Sequence, residues 1–438
     1  MPSARGSSGA ALGAVLTATL SLALSSCGDG SVPVVSDDVP LFWSVYDKVL
    51  ETEGEEARLK ILREEYIAQG SPGLEKMIRA RRYTAEEFLY AIESYHEFWE
   101  SVREDSGDVV QVVDSLQEGI EQLRKVYPGL SPATIYFTVG ALRSNGTFMD
   151  GDLLIGSELA FATDRTVSHE LTEDLPHLPA FFSTNPKEQV VPLVLHEYIH
   201  TQQQRDGGYN LLAQALYEGV AEYAATAALG KESAVQAVRF GLENDERIKE
   251  KFADEMFSPW FSNWLWNSPD NEFGVRDLAY YVGYAIADRY IQASEDPRAA
   301  LEELIELDSR DPDAIRRVVE RSSYFDEPLE VYQSRFEKER PVLQTVDFAW
   351  TDPPSAAGEL TLRFSRAMNT CCASADFGPR GKDHYPELQS VRWSETADAV
   401  TYSVRVEPGK EYEMLIQEGY RTPRGHPLRE ELIRFKAE

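Results

Sequence analysis

The segment His196–His200 (HEYIH) constrains the fold of this chain more than any other part of its sequence. It follows the apolar run 190–195, as expected for a buried helix, and residues four apart on a helix lie on the same face. Both imidazoles can therefore bind one ion, and this spacing is typical of Zn²⁺ ligands. Glu197 follows the first ligand, where its carboxylate can act as a general base on a water molecule that the metal activates.

A second helix is predicted over residues 211–229 and ends at Gly230. It carries Glu218-Gly-Val-Ala-Glu222, which resembles the E-G/A-x-x-D/E signature of gluzincin metallopeptidases. This resemblance implies that Glu218 is the third zinc ligand and that Glu222 accepts a hydrogen bond from a ligand histidine. The alternative is an ordinary acidic pair, one turn apart, on a solvated helix face.

A peptidase also needs a hydrogen-bond donor for the oxyanion, and the downstream segment Tyr280–Tyr284 (YYVGY) is the candidate. We expect Tyr281 or Tyr284 to take this role; since the two lie on different faces of a helix, only one would point at the metal. The alternative is that these tyrosines belong to the core. His169 and His177 precede the active helix, are weaker candidates and are expected at the surface.

Strands are predicted before the active helix, over residues 133–139 and 152–155. Asn145-Gly146 lies between them and indicates a hairpin turn. By analogy with zincins, we expect Ile135–Val139 or Leu153–Ile155 to be the edge strand that pairs with a substrate backbone. Residues 40–129 have a helical pattern, with a capping box at Thr84–Glu87.

The amino terminus predicts export and lipidation. Residues 10–24 are almost wholly apolar, and Leu24-Ser-Ser-Cys27 resembles a bacterial lipobox. We therefore expect a signal peptide over residues 1–26, a lipid on Cys27 and a polar tether over residues 27–39. No later run approaches 18 apolar residues, so the membrane is contacted through the lipid anchor only. The alternative is an ordinary signal peptide with a chance cysteine.

The carboxyl-terminal residues 346–438 alternate between short strands and turns, which predicts a small β-sandwich. Thr361–Asn369 (TLRFSRAMN) resembles a strand of bacterial Ig-like domains, and the resemblance implies a spacing, docking or binding module. The adjacent Cys371 and Cys372 are either a vicinal disulfide or two free thiols. With His384 they have poor geometry for a metal site.

Charge excludes several classes of partner. The chain has 43 Lys and Arg against 74 Asp and Glu, a net charge of −31. A nucleic-acid partner and charge-driven docking onto anionic lipid both need a basic face, so neither is expected. We interpret the acidity as a solvated surface.

Six segments together resemble a family of zinc-dependent peptidases related to the gliding-motility lipoproteins of Bacteroidota. They span about residues 40–340 and are FWxxYDK at 42–48, GALRSNGT at 140–147, IGSE at 155–158, HEYIHTQQ at 196–203, EGVAE at 218–222 and YYVGY at 280–284. The resemblance implies a mostly helical gluzincin-like domain with a small sheet over residues 40–345. With the Ig-like sandwich, the fold class is multidomain α+β.

The sequence thus predicts a lipid-anchored zinc metallopeptidase of the bacterial cell envelope, facing the periplasm or the cell surface, that acts on a peptide or protein substrate. One alternative is an inactive, motility-associated lipoprotein with a structural or vestigial metal, whose carboxyl-terminal domain binds an envelope protein. Another is hydrolysis of a non-peptide amide or of cell-wall peptide stems.

Overall fold

The computed structural model describes residues 31–204, 207–352, 356–371 and 373–438. The predicted signal peptide 1–26, the lipidation site Cys27 and the thiol of Cys372 lie outside these residues. None of the described helices combines the length and the apolar character needed to cross a bilayer.

The described chain is mainly helical up to residue 340 and forms strands beyond it. The helices are α1 (Asp38–Glu51), α2 (Glu55–Ile61), α3 (Pro72–Arg81), α4 (Ala85–Ser94), α5 (His96–Ser106), α6 (Val109–Val126), α7 (Ser157–Ala160), α8 (Leu178–Phe182), α9 (Val190–His200), α10 (Leu211–Leu229), α11 (Gln236–Glu255), α12 (Ala279–Gln292), α13 (Pro297–Ile305), α14 (Pro312–Ser322) and α15 (Leu329–Glu339). The strands are β1 (Val34–Val35), β2 (Ile135–Thr138), β3 (Gly146–Met149), β4 (Asp152–Gly156), β5 (Leu343–Asp352), β6 (Ala357–Phe364), β7 (Ala375–Phe377), β8 (Glu387–Trp393), β9 (Ala399–Arg405), β10 (Glu411–Ile416) and β11 (Glu431–Lys436).

Local sequence signals set several helix ends. Thr84 caps α4 with its side chain, and Glu87 bonds back to the Thr84 backbone, which confirms the predicted capping box. Asn210 caps α10 by accepting a hydrogen bond from the backbone of Ala213. Gly230 ends α10 at a φ of 60°, a left-handed conformation that favours glycine. The predicted bounds of the second helix are therefore confirmed.

A four-stranded sheet packs against the helices in the order β1-β2-β4-β3. The first strand corrects a prediction, because residues 31–39 are part of the folded body. Val34 and Val35 pair with β2, Val32 and Val39 are buried, and α1 begins at Asp38. The tether predicted over residues 27–39 is thus wrong for its described portion, since these valines bury apolar surface that a tether would expose.

The hairpin in this sheet also differs from the prediction. The turn lies at Asp150-Gly151, with φ values of 51° and 80°, and joins β3 to β4 in antiparallel pairing. Two positive φ values in a two-residue loop define a type I′ turn, which Asp-Gly favours. Asn145-Gly146 leads into β3 instead. Strands β2 and β4 are parallel and internal, so the expectation that residues 135–139 or 153–155 form the open edge is wrong. The open edge beside α9 is β3.

The helical domain has one continuous apolar core, and among the described helices α10 and α12 make the most extensive contact. A Cβ atom on Gly219 would lie 2.2 Å from the carbonyl carbon of Gly283, and one on Gly283 would lie 1.8 Å from the carbonyl oxygen of Ala215. Only glycines allow backbones to approach this closely. The contact fixes which residues of α12 face the centre of α10.

The carboxyl-terminal strands form a separate domain with its own apolar core. Two antiparallel sheets, in the orders β5-β6-β9-β8 and β11-β10-β7, enclose that core. Within this domain Cys371 is disulfide-bonded, so it is not a free thiol. The domain contacts the helical part through the guanidinium of Arg421, which lies 4.3 Å from the ring centroid of Trp260. The protein is therefore a multidomain mixed α+β structure.

Glu158 on α7 is a fully buried carboxylic acid beside the sheet. Its oxygens accept hydrogen bonds from the backbone of Gly140, at 3.0 Å, and of Leu142, at 3.4 Å. Burial nevertheless raises the pKa of Glu158 to about 7. Between pH 4.5 and 7 the folded state therefore binds more protons than the unfolded state.

From this sign we expect Glu158 to make the free energy of unfolding fall as the pH rises through that window. Glu158→Gln is neutral at every pH and should remove a fall of up to about 3 kcal/mol. Urea unfolding of the helical domain at pH 5 and pH 7.5 measures it. Because Gln also replaces one acceptor oxygen with a donor, it changes the free energy of unfolding at every pH. The readout is therefore the slope of that free energy against pH and not its absolute value. The exposed Glu75→Gln should keep the wild-type slope; an unchanged slope in Glu158→Gln contradicts the assignment.

Candidate metal centre

Three predicted ligands converge on one point between α9 and α10. His196 Nε2 lies 3.0 Å from His200 Nε2, and Glu218 Oε2 lies 3.5 Å and 3.3 Å from these two nitrogens. All three residues are buried, and their ligand atoms form the group of metal-binding side chains found among the described residues. The structure thus brings together the three residues that the sequence predicts as metal ligands.

The dimensions of this triangle fit Zn²⁺. In a tetrahedral site with ligand atoms about 2.0–2.1 Å from the ion, those atoms are about 3.3–3.4 Å apart. The three observed separations, 3.0, 3.3 and 3.5 Å, bracket that value. Two neutral imidazoles and one carboxylate are also the donor set of catalytic zinc sites, in which a fourth position is open to solvent or substrate.

Each candidate ligand contacts a second polar side chain that can orient it. His196 Nδ1 lies 3.3 Å from Glu222 Oε2, as predicted, and the other oxygen of Glu222 accepts a hydrogen bond from Ser233. Such carboxylate–histidine pairs fix the tautomer that leaves Nε2 available for a metal. Glu222 is buried, so its interpretation as part of a solvated acidic face is not supported.

Two glutamines with the same role were not predicted. Gln203 Oε1 lies 2.6 Å from His200 Nδ1, and its amide nitrogen donates to the carbonyl of Tyr217. Gln214 donates to Glu218 Oε1 at 3.0 Å and accepts from the backbone of Gly208. The spacing of Gln214, one helical turn before Glu218, was the available signal. Gln203 reaches its partner through the loop after α9, which has no regular period.

Aromatic rings pack around the two histidines. The ring of His200 stacks against Tyr217, with centroids 4.5 Å apart, and against Phe148 of β3 at 5.7 Å. The ring of His196 stacks against Tyr280 at 5.7 Å. These contacts restrict ring rotation and exclude water from the sides of the cluster, which strengthens electrostatic interactions inside it.

The electrostatics of the cluster favour a cation. Burial opposes the charged form of His196, but Glu218 and Glu222 outweigh burial and raise the pKa of His196 to about 10 in the metal-free chain. Burial likewise opposes the charged form of Glu218, yet His200 and His196 hold the pKa of this carboxyl well below its usual range. The buried carboxylate of Glu218 thus retains its negative charge, which a divalent ion would neutralise on displacing the proton.

Glu197 lies beside the cluster rather than in it. Its side chain is partly exposed and passes over Gly146 of β3, where a Cβ atom would lie 3.2 Å from Glu197 Oε1. The carboxylate is close enough to act electrostatically on His196 and on Tyr280. This is the arrangement that a general base needs: next to the metal ligands and open to solvent.

The tyrosine beside the cluster is Tyr280. Burial, followed by the charges of Glu218 and Asp277, holds its pKa well above the usual value, so the hydroxyl stays protonated and can donate. The expectation for Tyr281 is wrong, because its hydroxyl donates to Asp245 of α11 at 2.8 Å. The hydroxyl of Tyr284 interacts with Thr226, two helical turns beyond Glu218, so it too is directed away from the ligands.

Neither of the weaker histidine candidates joins the cluster. His169 is exposed and lies 3.8 Å from Glu97, as expected for a surface residue. His177 is half-buried, and burial together with the charge of Arg276 lowers its pKa.

Comparisons with known proteins add little. No protein-family model and no curated protein matches this chain. The solved structure of the N-terminal part of the bacterial S-layer protein SbsC is similar at 11% identity and a TM-score of 0.19, over 90% of this chain and 67% of that one. The structure of SbsC domains 1-6 has the same identity and TM-score, over 80% of this chain and 44% of that one. TM-scores this low support no argument about fold or activity.

The Gln203 contact predicts a measurable effect on metal affinity. Gln203→Ala removes the acceptor at His200 Nδ1, and the loss of such an outer contact typically weakens zinc binding about 10- to 100-fold. Competition with a chromogenic chelator measures this affinity. Gln204→Ala, at the exposed neighbouring position, should bind as the wild type does. Equal affinities for the two variants would show that Gln203 does not orient the ligand.

Proposed function

We propose that this chain is a zinc-dependent metallopeptidase of the gluzincin type, with Zn²⁺ held by His196, His200 and Glu218. The observation that carries the proposal is the convergence of these three ligand atoms at tetrahedral spacing, with the carboxylate of Glu197 beside them and open to solvent. Bound Zn²⁺ supplies Lewis acidity, which polarises a scissile carbonyl and acidifies water.

The residues of the chain supply the remaining steps. Glu197 accepts the proton of the attacking water and returns it to the leaving amine. Glu222 and Gln203 hold the two imidazoles in the tautomers that direct Nε2 inward, and Gln214 orients Glu218. The protonated hydroxyl of Tyr280 donates a hydrogen bond to the oxyanion that develops on the substrate carbonyl.

The wider assignments are part of the same proposal. The helical domain, about residues 40–345, carries the peptidase, and the carboxyl-terminal domain from about residue 346 is an Ig-like module that spaces the peptidase or binds an envelope partner. The lipobox-like sequence before Cys27 supports a lipid-anchored protein of the bacterial cell envelope. The substrate is a peptide or protein, and the net charge of −31 argues against a nucleic acid.

Glu197→Gln is the test of this function. It keeps the size of the side chain but removes the base, so we expect about one zinc per chain and a loss of turnover of at least about 100-fold. A peptide-library cleavage screen and metal analysis give both quantities. The exposed Glu118→Gln is the matched control and should cleave as the wild type does. Equal cleavage by Glu197→Gln and wild type would overturn the mechanism and favour an inactive envelope component with a structural zinc.

Tyr280→Phe and Tyr281→Phe distinguish the two tyrosines. Loss of a preorganised oxyanion donor lowers kcat by about 100- to 1,000-fold, and we expect this for Tyr280→Phe with zinc content unchanged. Tyr281→Phe removes the hydrogen bond to Asp245, so it should lower the free energy of unfolding by about 1 kcal/mol and leave kcat near the wild-type value. The reverse pattern would return the catalytic role to Tyr281.

A further inference from the structure

The outer edge of β3 offers backbone groups beside the metal ligands. The carbonyl of Asn145 accepts a hydrogen bond from the backbone of Gly156 in β4. Since antiparallel pairs alternate, Thr147 also directs its backbone groups toward β4, whereas Gly146 and Phe148 direct theirs outward. Within the part of the chain that the structure describes, β3 has a neighbouring strand on one side only.

One of these outward groups is already bound by an arginine. The carbonyl of Gly146 accepts hydrogen bonds from Arg81 Nη2 at 3.2 Å and from the hydroxyl of Ser144 at 2.8 Å. The backbone N–H and C=O of Phe148 therefore remain available to pair with an added strand, such as an extended peptide. It would run past Arg81 at the end of β3 where Gly146 lies.

Arg81 has no carboxylate partner among the described residues. Its Nε is buried without a hydrogen-bond partner, and no acidic oxygen among the described residues lies within ion-pair distance of it. Three cations around the hairpin are paired: Lys76 with Asp152, Arg79 with Asp150 and Arg143 with Glu87. The neighbouring Arg82 is exposed to solvent, unlike Arg81. A partly buried guanidinium without an anion is unfavourable unless something else supplies the anion.

Arg81 is also close to the proposed general base. Gly146 lies between the two residues. Arg81 donates a hydrogen bond to the carbonyl of Gly146, and a Cβ atom added to Gly146 would lie 3.1 Å from Glu197 Cγ. These contacts keep the guanidinium within about 10 Å of the Glu197 carboxylate, and an extended chain advances about 3.3–3.6 Å per residue, so about two substrate residues span the gap. A substrate group that reaches Arg81 therefore belongs to a residue next to the scissile bond or one position beyond it.

We infer that Arg81 binds a carboxylate of the substrate at this end of β3. The inference rests on the proposed function and names its substrate class: peptides with a carboxylate within about two residues of the scissile bond. Guanidinium and carboxylate pair through two parallel hydrogen bonds, which gives both affinity and direction. The carboxylate comes from an acidic side chain or from the free carboxyl terminus of the peptide. In a strongly acidic protein, a local cation is needed to admit such a ligand.

Peptide binding to zinc-loaded Glu197→Gln tests the inference without turnover. The probes are peptides cleaved by the wild type, each compared with its Asp→Asn or Glu→Gln analogue and with its carboxyl-terminal amide. We expect one of these neutral analogues to bind roughly 10- to 100-fold more weakly, the amide if the carboxyl terminus is recognised and the side-chain analogue if an acidic residue is. Adding Arg81→Met to this variant should weaken binding of the carboxylate peptide by the same factor and leave the affinity for the neutral analogue unchanged.

The controls separate recognition from folding. Arg79→Met lies on the same helix and removes an exposed ion pair to the same hairpin, so it should change affinity less than about twofold. Arg81→Lys keeps the positive charge but loses the two parallel donors of the guanidinium, so it should retain part of the preference for carboxylate peptides. This variant remains informative even if Arg81→Met unfolds more readily.

Two results would overturn the inference. One is that wild-type chain cleaves peptides with no preference for a carboxylate near the cut. The other is that Arg81→Met weakens carboxylate and neutral peptides equally, which marks a purely structural contact with Gly146. Failure of the proposed function is distinct from both, since zinc-loaded wild type would then cleave no peptide in the screen.

Discussion

Two carboxylates of α10, Glu218 and Glu222, are buried in the centre of the helical domain, and the surrounding structure supplies their partners. Unpaired charges at such depth would cost several kcal/mol each, so the fold must bring compensating groups to them. It does so with imidazoles from α9, an amide from α10 itself and a hydroxyl from the loop that follows α10. The position of α9 against α10 follows from this requirement as much as from apolar packing.

The backbone contact between Gly219 and Gly283 determines what lies on the other side of α10. Because the two helices touch without intervening side chains, α12 is held in one rotational setting, and Tyr280 is the tyrosine that faces the histidines. Its neighbour Tyr281 lies on a different face of α12 and donates a hydrogen bond to Asp245 of α11. Which tyrosine of this segment lies beside the histidines is therefore a consequence of the rotation of α12.

This explains which features the sequence could predict. The residues 196, 200 and 218 follow from the period of a helix and a known ligand pattern, and the caps at Thr84 and Gly230 depend on adjacent residues only. Tyr280 and Gln203 depend on the rotation of a helix and on the path of a loop, which no local pattern encodes. The hairpin prediction failed because Asn145-Gly146 and Asp150-Gly151 both satisfy the same turn rule, and register decided between them. Residues 31–39 form a short, partly polar segment whose composition indicates a tether, yet Val34 and Val35 pair with β2.

If Cys27 carries the proposed lipid, the position of β1 limits where this protein can act. The backbone of Val32 is held by the side chain of Gln117, and four residues separate Val32 from Cys27 in the sequence. That stretch spans less than about 20 Å even when fully extended. With a lipid on Cys27, the helical domain would lie against the bilayer surface and could not reach into the surrounding space. Its natural substrates would then be chains that pass close to the membrane, such as those emerging from it or anchored beside it.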